Sequence, residues 1–244
     1  MKPYGRLLAA LLLVALAGCG SGGAAIPTAA KTTDEPTSAA TPRDIMGIPN
    51  WESLETGTYL IDPDDDPSTP LRVVYTIAAD GWQQWFGASK STHDDHVLVS
   101  IVTVTNIVRH GCRGHSRVDP PVGPTVDDLA TALADLAPFR VTSPPTDVTI
   151  YGYRGKHLEM TVPNLHVDGE GKYGDCVDGE LHSWIAPLNG GAYRGYTGSG
   201  YTEEFWILDV EGSRLVVSTQ RTSGMSDEDI AESRAILDSI RIEP

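Results

Sequence analysis

The groups of this 244-residue chain suited to ligation, proton transfer or attack are three cysteines, seven histidines and 33 carboxylates. The densest set of soft donors is His110-Gly111-Cys112-Arg113-Gly114-His115, three within six residues. Zinc and copper accept imidazole and thiolate, but this spacing matches no common short metal motif. A second run, Asp62-Pro63-Asp64-Asp65-Asp66-Pro67, sets carboxylates at positions 1, 3 and 5 of a calcium loop. Pro67 stands where such a loop requires Gly and Val73 where it requires a bidentate Glu, so an EF-hand is excluded. Asp62, Asp64 and Asp66 remain either a looser calcium site or a solvated acidic turn. In His93-Asp94-Asp95-His96 the two imidazoles would point to opposite faces of a strand, which favours a polar loop running into the strand at His96.

Nucleophilic catalysis finds no support. Gly198-Ser199-Gly200 lacks the spacing of a nucleophile elbow, and no phosphate-cradling glycine motif occurs. With 33 acidic against 18 basic residues the chain carries a net charge of −15. That charge repels phosphate backbones and anionic headgroups, so nucleic acid is excluded as a partner and a polybasic membrane patch is absent. No cofactor and no metal is expected, and no reaction class is indicated. The chain reads as a non-enzyme, with a hydrolase as the weaker alternative.

Aromatic residues are more suggestive. Residues 189–201 interleave Tyr193, Tyr196 and Tyr201 with glycine, serine and the single cation Arg194. Rigid amphipathic rings on adaptable backbone are the composition of recognition loops, which makes these four residues the candidate binding surface. On that reading the rings should be exposed and close together. The same composition suits a mobile surface loop without a partner. Trp82-Gln83-Gln84-Trp85-Phe86 packs three rings just past a strand, where Trp82 is expected to cover the core; Trp184 and Trp206 are expected inside it.

The location of this chemistry is written at the N-terminus. Lys2 and Arg6 precede an unbroken apolar run, Leu7–Ala17. As a helix it rises about 17 Å, short of a ~30 Å hydrocarbon layer, which fits an export signal rather than a transmembrane span. Leu16-Ala17-Gly18-Cys19 resembles the lipobox of bacterial lipoproteins. The resemblance implies a signal peptide over 1–18, cleavage before Cys19, and diacylglycerol and acyl (palmitate-type) chains on that residue. The protein would then be anchored on the extracytoplasmic face of the cell membrane. The competing reading is a secreted protein with a chance cysteine. With Cys19 lipidated, Cys112 and Cys176 are an even pair in an oxidising compartment and are expected to form a disulfide. A bridged sulfur is no thiolate ligand, which argues against metal at Cys112.

Residues 19–45 are mostly Gly, Ala, Ser, Thr and Pro and read as a disordered tether; residues 46–244 show no second composition break and read as one domain. Period-2 patterns place strands at 58–61, 71–78, 96–104, 147–153, 157–162, 181–185, 204–210 and 214–220. Turns are expected at Glu211-Gly212 and at 153–156. Thr125 and Ser226 open two helical patterns, the first ended by Pro138. The result is α+β: a curved antiparallel sheet with two main helices packed against it. Phe205–Gly212 followed by Ile236-Leu237-Asp238-Ser239-Ile240 resembles the close of actinobacterial-type exported proteins. The element order is similar to the PsbP-like fold of LpqN-like lipoproteins, which implies binding or assembly rather than catalysis. The expected function is a membrane-anchored binding module of the envelope, taking an envelope protein, a lipid or glycan, or another small ligand. The alternative is a scaffold in an envelope assembly.

Overall fold

The computed structural model describes residues 41–92, 95–198 and 200–243. The signal peptide, Cys19 and most of the tether lie outside the described residues, as do His93, Asp94 and Ser199. In chain order the elements are β1 (Arg43–Asp44), β2 (Gly57–Ile61), β3 (Arg72–Ile77), β4 (Gln83–Gln84), β5 (Gly87–Thr92), β6 (Asp95–Thr103) and β7 (Asn106–Ile107). There follow α1 (Val126–Ala134), β8 (Arg140–Ile150), β9 (Tyr153–Thr161), β10 (Leu181–Ala186), the one-turn α2 (Leu188–Gly191) and β11 (Ala192–Tyr196). The chain closes with β12 (Thr202–Val210), β13 (Ser213–Arg221), α3 (Asp227–Asp238) and β14 (Arg241–Glu243).

Along β6, Val97, Val99 and Ile101 alternate with Leu98, Ser100 and Val102, and both sets are buried. A strand covered on both faces needs a layer on each side. Those layers flank a seven-stranded antiparallel sheet of order β4-β5-β6-β13-β12-β9-β8. On one face lie α3 and a four-stranded sheet, β1-β2-β3-β14, enclosing Tyr59, Tyr75, Trp82, Val99, Val217 and Ile236. On the other lie α1 and a three-stranded sheet, β11-β10-β7, enclosing Leu129, Leu133, Leu158, Trp184, Phe205 and Val216. The α+β class and the two main helices are as expected, but the single antiparallel sheet is corrected to three sheets. β1 and β2 run parallel, and Ile45, the last residue assigned to the tether, is fully buried.

Local signals set the helices. Thr125 and Asp128 form a reciprocal capping box at the start of α1, and Ser226 accepts from the backbone N–H of Asp229 at the start of α3. The last hairpin turns at Glu211-Gly212, both with positive φ, as its sequence demands. Elsewhere the expectation is corrected. The β8–β9 turn is at Tyr151-Gly152 (φ 55° and 87°), not at 153–156, which opens β9. β8 starts seven residues earlier than expected and runs through Pro144 and Pro145. It is an edge strand with register shifts between Val141 and Thr146, the setting in which a strand tolerates proline.

Candidate cleft and its histidine–carboxylate corner

Period 2 on three adjacent strands builds a floor. Ser89 and Ser91 of β5, His96 and Leu98 of β6 and Gln220 of β13 share one face, through the pairings Ser89–Leu98, Ser91–His96 and Leu98–Gln220. They line a cleft of about 570 Å³, within the usual range for small-molecule sites. One wall is β10 and β11, with His182, Tyr193, Arg194 and Tyr196; a loop carrying Glu170, Lys172, Asp178 and Glu180 continues it. At the mouth Trp51 and Trp85 stack with ring centroids 4.4 Å apart and planes at 15°. Trp51 is 53% exposed and has φ 68°, an unfavourable backbone for a bulky residue at an exposed position.

The wall is held by the expected disulfide. Cys112 and Cys176 are bonded, closing a 64-residue separation. Around it the N–H of Val177 donates to Cys112 O (3.1 Å) and the N–H of His182 to Gly111 O (2.9 Å). Gly111 is required here, since a Cβ would lie 2.8 Å from His182 O and 2.7 Å from the Phe139 ring. Two remote segments are thereby clamped together, and they meet in a cluster of His115, Glu180 and His182. His115 Nε2 lies 3.3 Å from His182 Nε2 and 3.0 Å from Glu180 Oε2. Tyr193 packs edge-on to both imidazoles; its hydroxyl accepts from Arg117 Nε (3.0 Å) and donates to His115 O (3.3 Å). Burial and the nearby His115 lower the pKa of His182.

The tyrosine segment is corrected. It is not an exposed loop: 192–196 is strand β11, and Arg194, Tyr196 and Tyr201 are 7%, 6% and 5% exposed. The Tyr196 hydroxyl bonds with Ser183 Oγ (2.8 Å) and donates to Glu203 (2.6 Å), while Arg194 Nε stands 3.6 Å from the same carboxylate. Glu203 is fully buried, and burial raises its pKa against the opposing pull of Arg194. Arg194 therefore balances the Glu203 charge from the cleft wall, at ion-pair rather than hydrogen-bond distance, and is too buried to be an exposed contact of a recognition loop. Tyr201 packs on His96 at 4.6 Å and is part of the core. Only Tyr193 of the four keeps a partly open ring at the cleft.

The other residues weighed in the sequence have local partners. Asp64 accepts from Thr69 and from the Asp66 N–H, Asp66 accepts from Ser68, and Asp62 pairs with Arg72 at 3.2 Å. These carboxylates serve a local turn, and among the described residues they do not bring three ligand atoms within 4.8 Å. His110 Nδ1 accepts from the Cys112 N–H and stays apart from His115's cluster. Trp82 and Trp184 are core, whereas Trp206 is only partly buried, against His157. Nothing in the local sequence marks Trp51, Trp85, Glu180 or His182 as a site residue. The one usable signal is arithmetic from the bridge, since His115 follows Cys112 by three and Glu180 and His182 follow Cys176 by four and six.

Together these features define a sheet-dominated α+β domain with a disulfide-braced cleft. No protein-family model and no curated protein matches the chain. Among solved structures it is similar to LpqN, described as involved in cell envelope biogenesis of Mycobacterium tuberculosis. The identity is 14%, over 84% of this chain and 90% of that one, with a TM-score of 0.27. No residue role is carried from it.

Proposed function

We propose that the chain is an exported, lipid-anchored, non-catalytic binding protein whose cleft takes a small envelope ligand, a neutral saccharide. The observation that supports this most is the cleft itself, with a stacked indole pair at its mouth and polar groups along its floor and wall. A flat apolar ring face suits the C–H face of a sugar, and the serines, Gln220 and carboxylates suit its hydroxyls. Charge argues against an anionic ligand. Glu170, Asp178 and Glu180 face the cleft against Lys172 alone, because Arg194 is paired with Glu203. A scaffold without ligand would need no such concavity.

The test is calorimetric titration with a panel of short envelope saccharides. Binding to the unaltered protein that weakens roughly thirtyfold in Trp85→Ala supports the reading, as expected for a binding anchor. Binding by none of the panel, or equal binding by Trp85→Ala, contradicts it. The anchor is tested separately. The mature protein should partition into detergent and lose this in Cys19→Ser; an unacylated mature mass contradicts it.

A further inference from the structure

His115, Glu180 and His182 set two imidazole nitrogens and a carboxylate oxygen within 4.8 Å of one another. A tetrahedral ion with bonds of about 2.0–2.1 Å holds its ligands about 3.3 Å apart. The 3.3 Å and 3.0 Å separations from His115 Nε2 therefore match two edges of such a shell. Hydrogen bonding alone serves the arrangement poorly. With His115 Nε2 turned both to His182 Nε2 and to the Glu180 carboxylate, one proton on it has two acceptors competing for it. We propose that His115, Glu180 and His182 bind a zinc-class divalent cation, with a fourth coordination position open to the cleft.

The donor chemistry selects the cation. Two nitrogens and one carboxylate suit Zn²⁺, whereas Mg²⁺ and Ca²⁺ want all-oxygen shells. Glu180 and His182 line the cleft whereas His115 is not among its lining residues, so the fourth position is assigned to the cleft side. Preorganisation comes from the Cys112–Cys176 bridge, which clamps the two segments that supply the ligands. One feature weakens the site: His182 Nδ1 is buried without a hydrogen-bond partner among the described residues. A ligating imidazole lacking that outer contact typically binds its ion 10–100-fold less tightly than one that has it. The bare ion is the probe, so this proposal stands or falls independently of the saccharide reading.

The untagged full chain, stripped with chelator, is titrated with ZnCl₂ and, in parallel, with CoCl₂. One Zn²⁺ per chain is expected, released protons included, with the intense visible absorption of tetrahedral Co²⁺. The side chains of His115 and Glu180 are 46% and 47% exposed, so His115→Ala and Glu180→Gln should fold normally, checked by near-UV circular dichroism. Each should lose affinity on the order of 100-fold or more and abolish the Co²⁺ band. Absence of stoichiometric Zn²⁺ binding by the unaltered chain overturns the proposal. So does binding that both folded variants retain, or a Co²⁺ complex with only weak octahedral absorption.

Discussion

His96 accepts a hydrogen bond from the Gln220 amide at 3.0 Å and lies against the Tyr201 ring, so it is held as a neutral imidazole at the cleft floor. Burial, reinforced by the Arg194 charge and only partly opposed by Asp95, lowers its pKa to about 4. In the unfolded chain it titrates near its ordinary value, so between the two the unfolded state binds more protons. Stability contributed by His96 is thus complete above about pH 6.5 and lost as pH falls toward 4, on the order of 3 kcal/mol. Urea unfolding across that range should show the slope, and His96→Gln should flatten it; an unchanged slope would refute the assignment. The Arg194–Glu203 pair gives a second prediction. Arg194→Ala or Glu203→Ala alone should cost about 3–5 kcal/mol, because each leaves an uncompensated buried group. Arg194→Met with Glu203→Leu should cost less than either. Equal or additive losses by denaturant titration would mean the two charges are not coupled.

At the scale of elements, the bridge between the segment after β7 and the segment before β10 is what makes the cleft wall a wall. The double variant Cys112→Ser/Cys176→Ser should lose about 2–5 kcal/mol. Hydrogen exchange should quicken in residues 168–182, while β12 and β13 in the sheet centre stay protected. Uniform loss of protection would instead make the bridge a general staple. The same contrast between local and remote determinants explains what the sequence disclosed. The helix starts were legible because Thr125 with Asp128, and Ser226 with Asp229, carry their signal within one turn. β8 was half hidden because Pro144 and Pro145 are excluded from interior strands and admitted at an edge, and edge position is a property of the whole sheet. β11 has the composition of a loop, its glycines and tyrosines being turn-like. Its pairing with β10 and the burial of Tyr196 on Glu203 are non-local. The disulfide was legible, yet the cluster it assembles joins residues 67 apart and follows only from the fold.

Across the whole molecule, the central sheet buried on both faces leaves its chemistry at one end of one face, where β5, β6 and β13 meet β10 and β11. The serines, His96 and Gln220 there replace the apolar residues that fill the same face further along at Val102 and Val216. That exchange of packing for polar lining is the strongest reason to regard the cleft as a site rather than a packing defect. The most direct test is saturation-transfer NMR on a small-molecule extract of the source cell's envelope, comparing the unaltered protein with Ser91→Trp. The exposed Ser91 side chain lines the cleft, so a tryptophan there fills the floor while shifting stability by no more than about 0.5 kcal/mol. Saccharide resonances that receive transfer from the unaltered protein and not from Ser91→Trp are the predicted result. Identical transfer from both proteins, or none from either, would contradict a ligand-binding cleft.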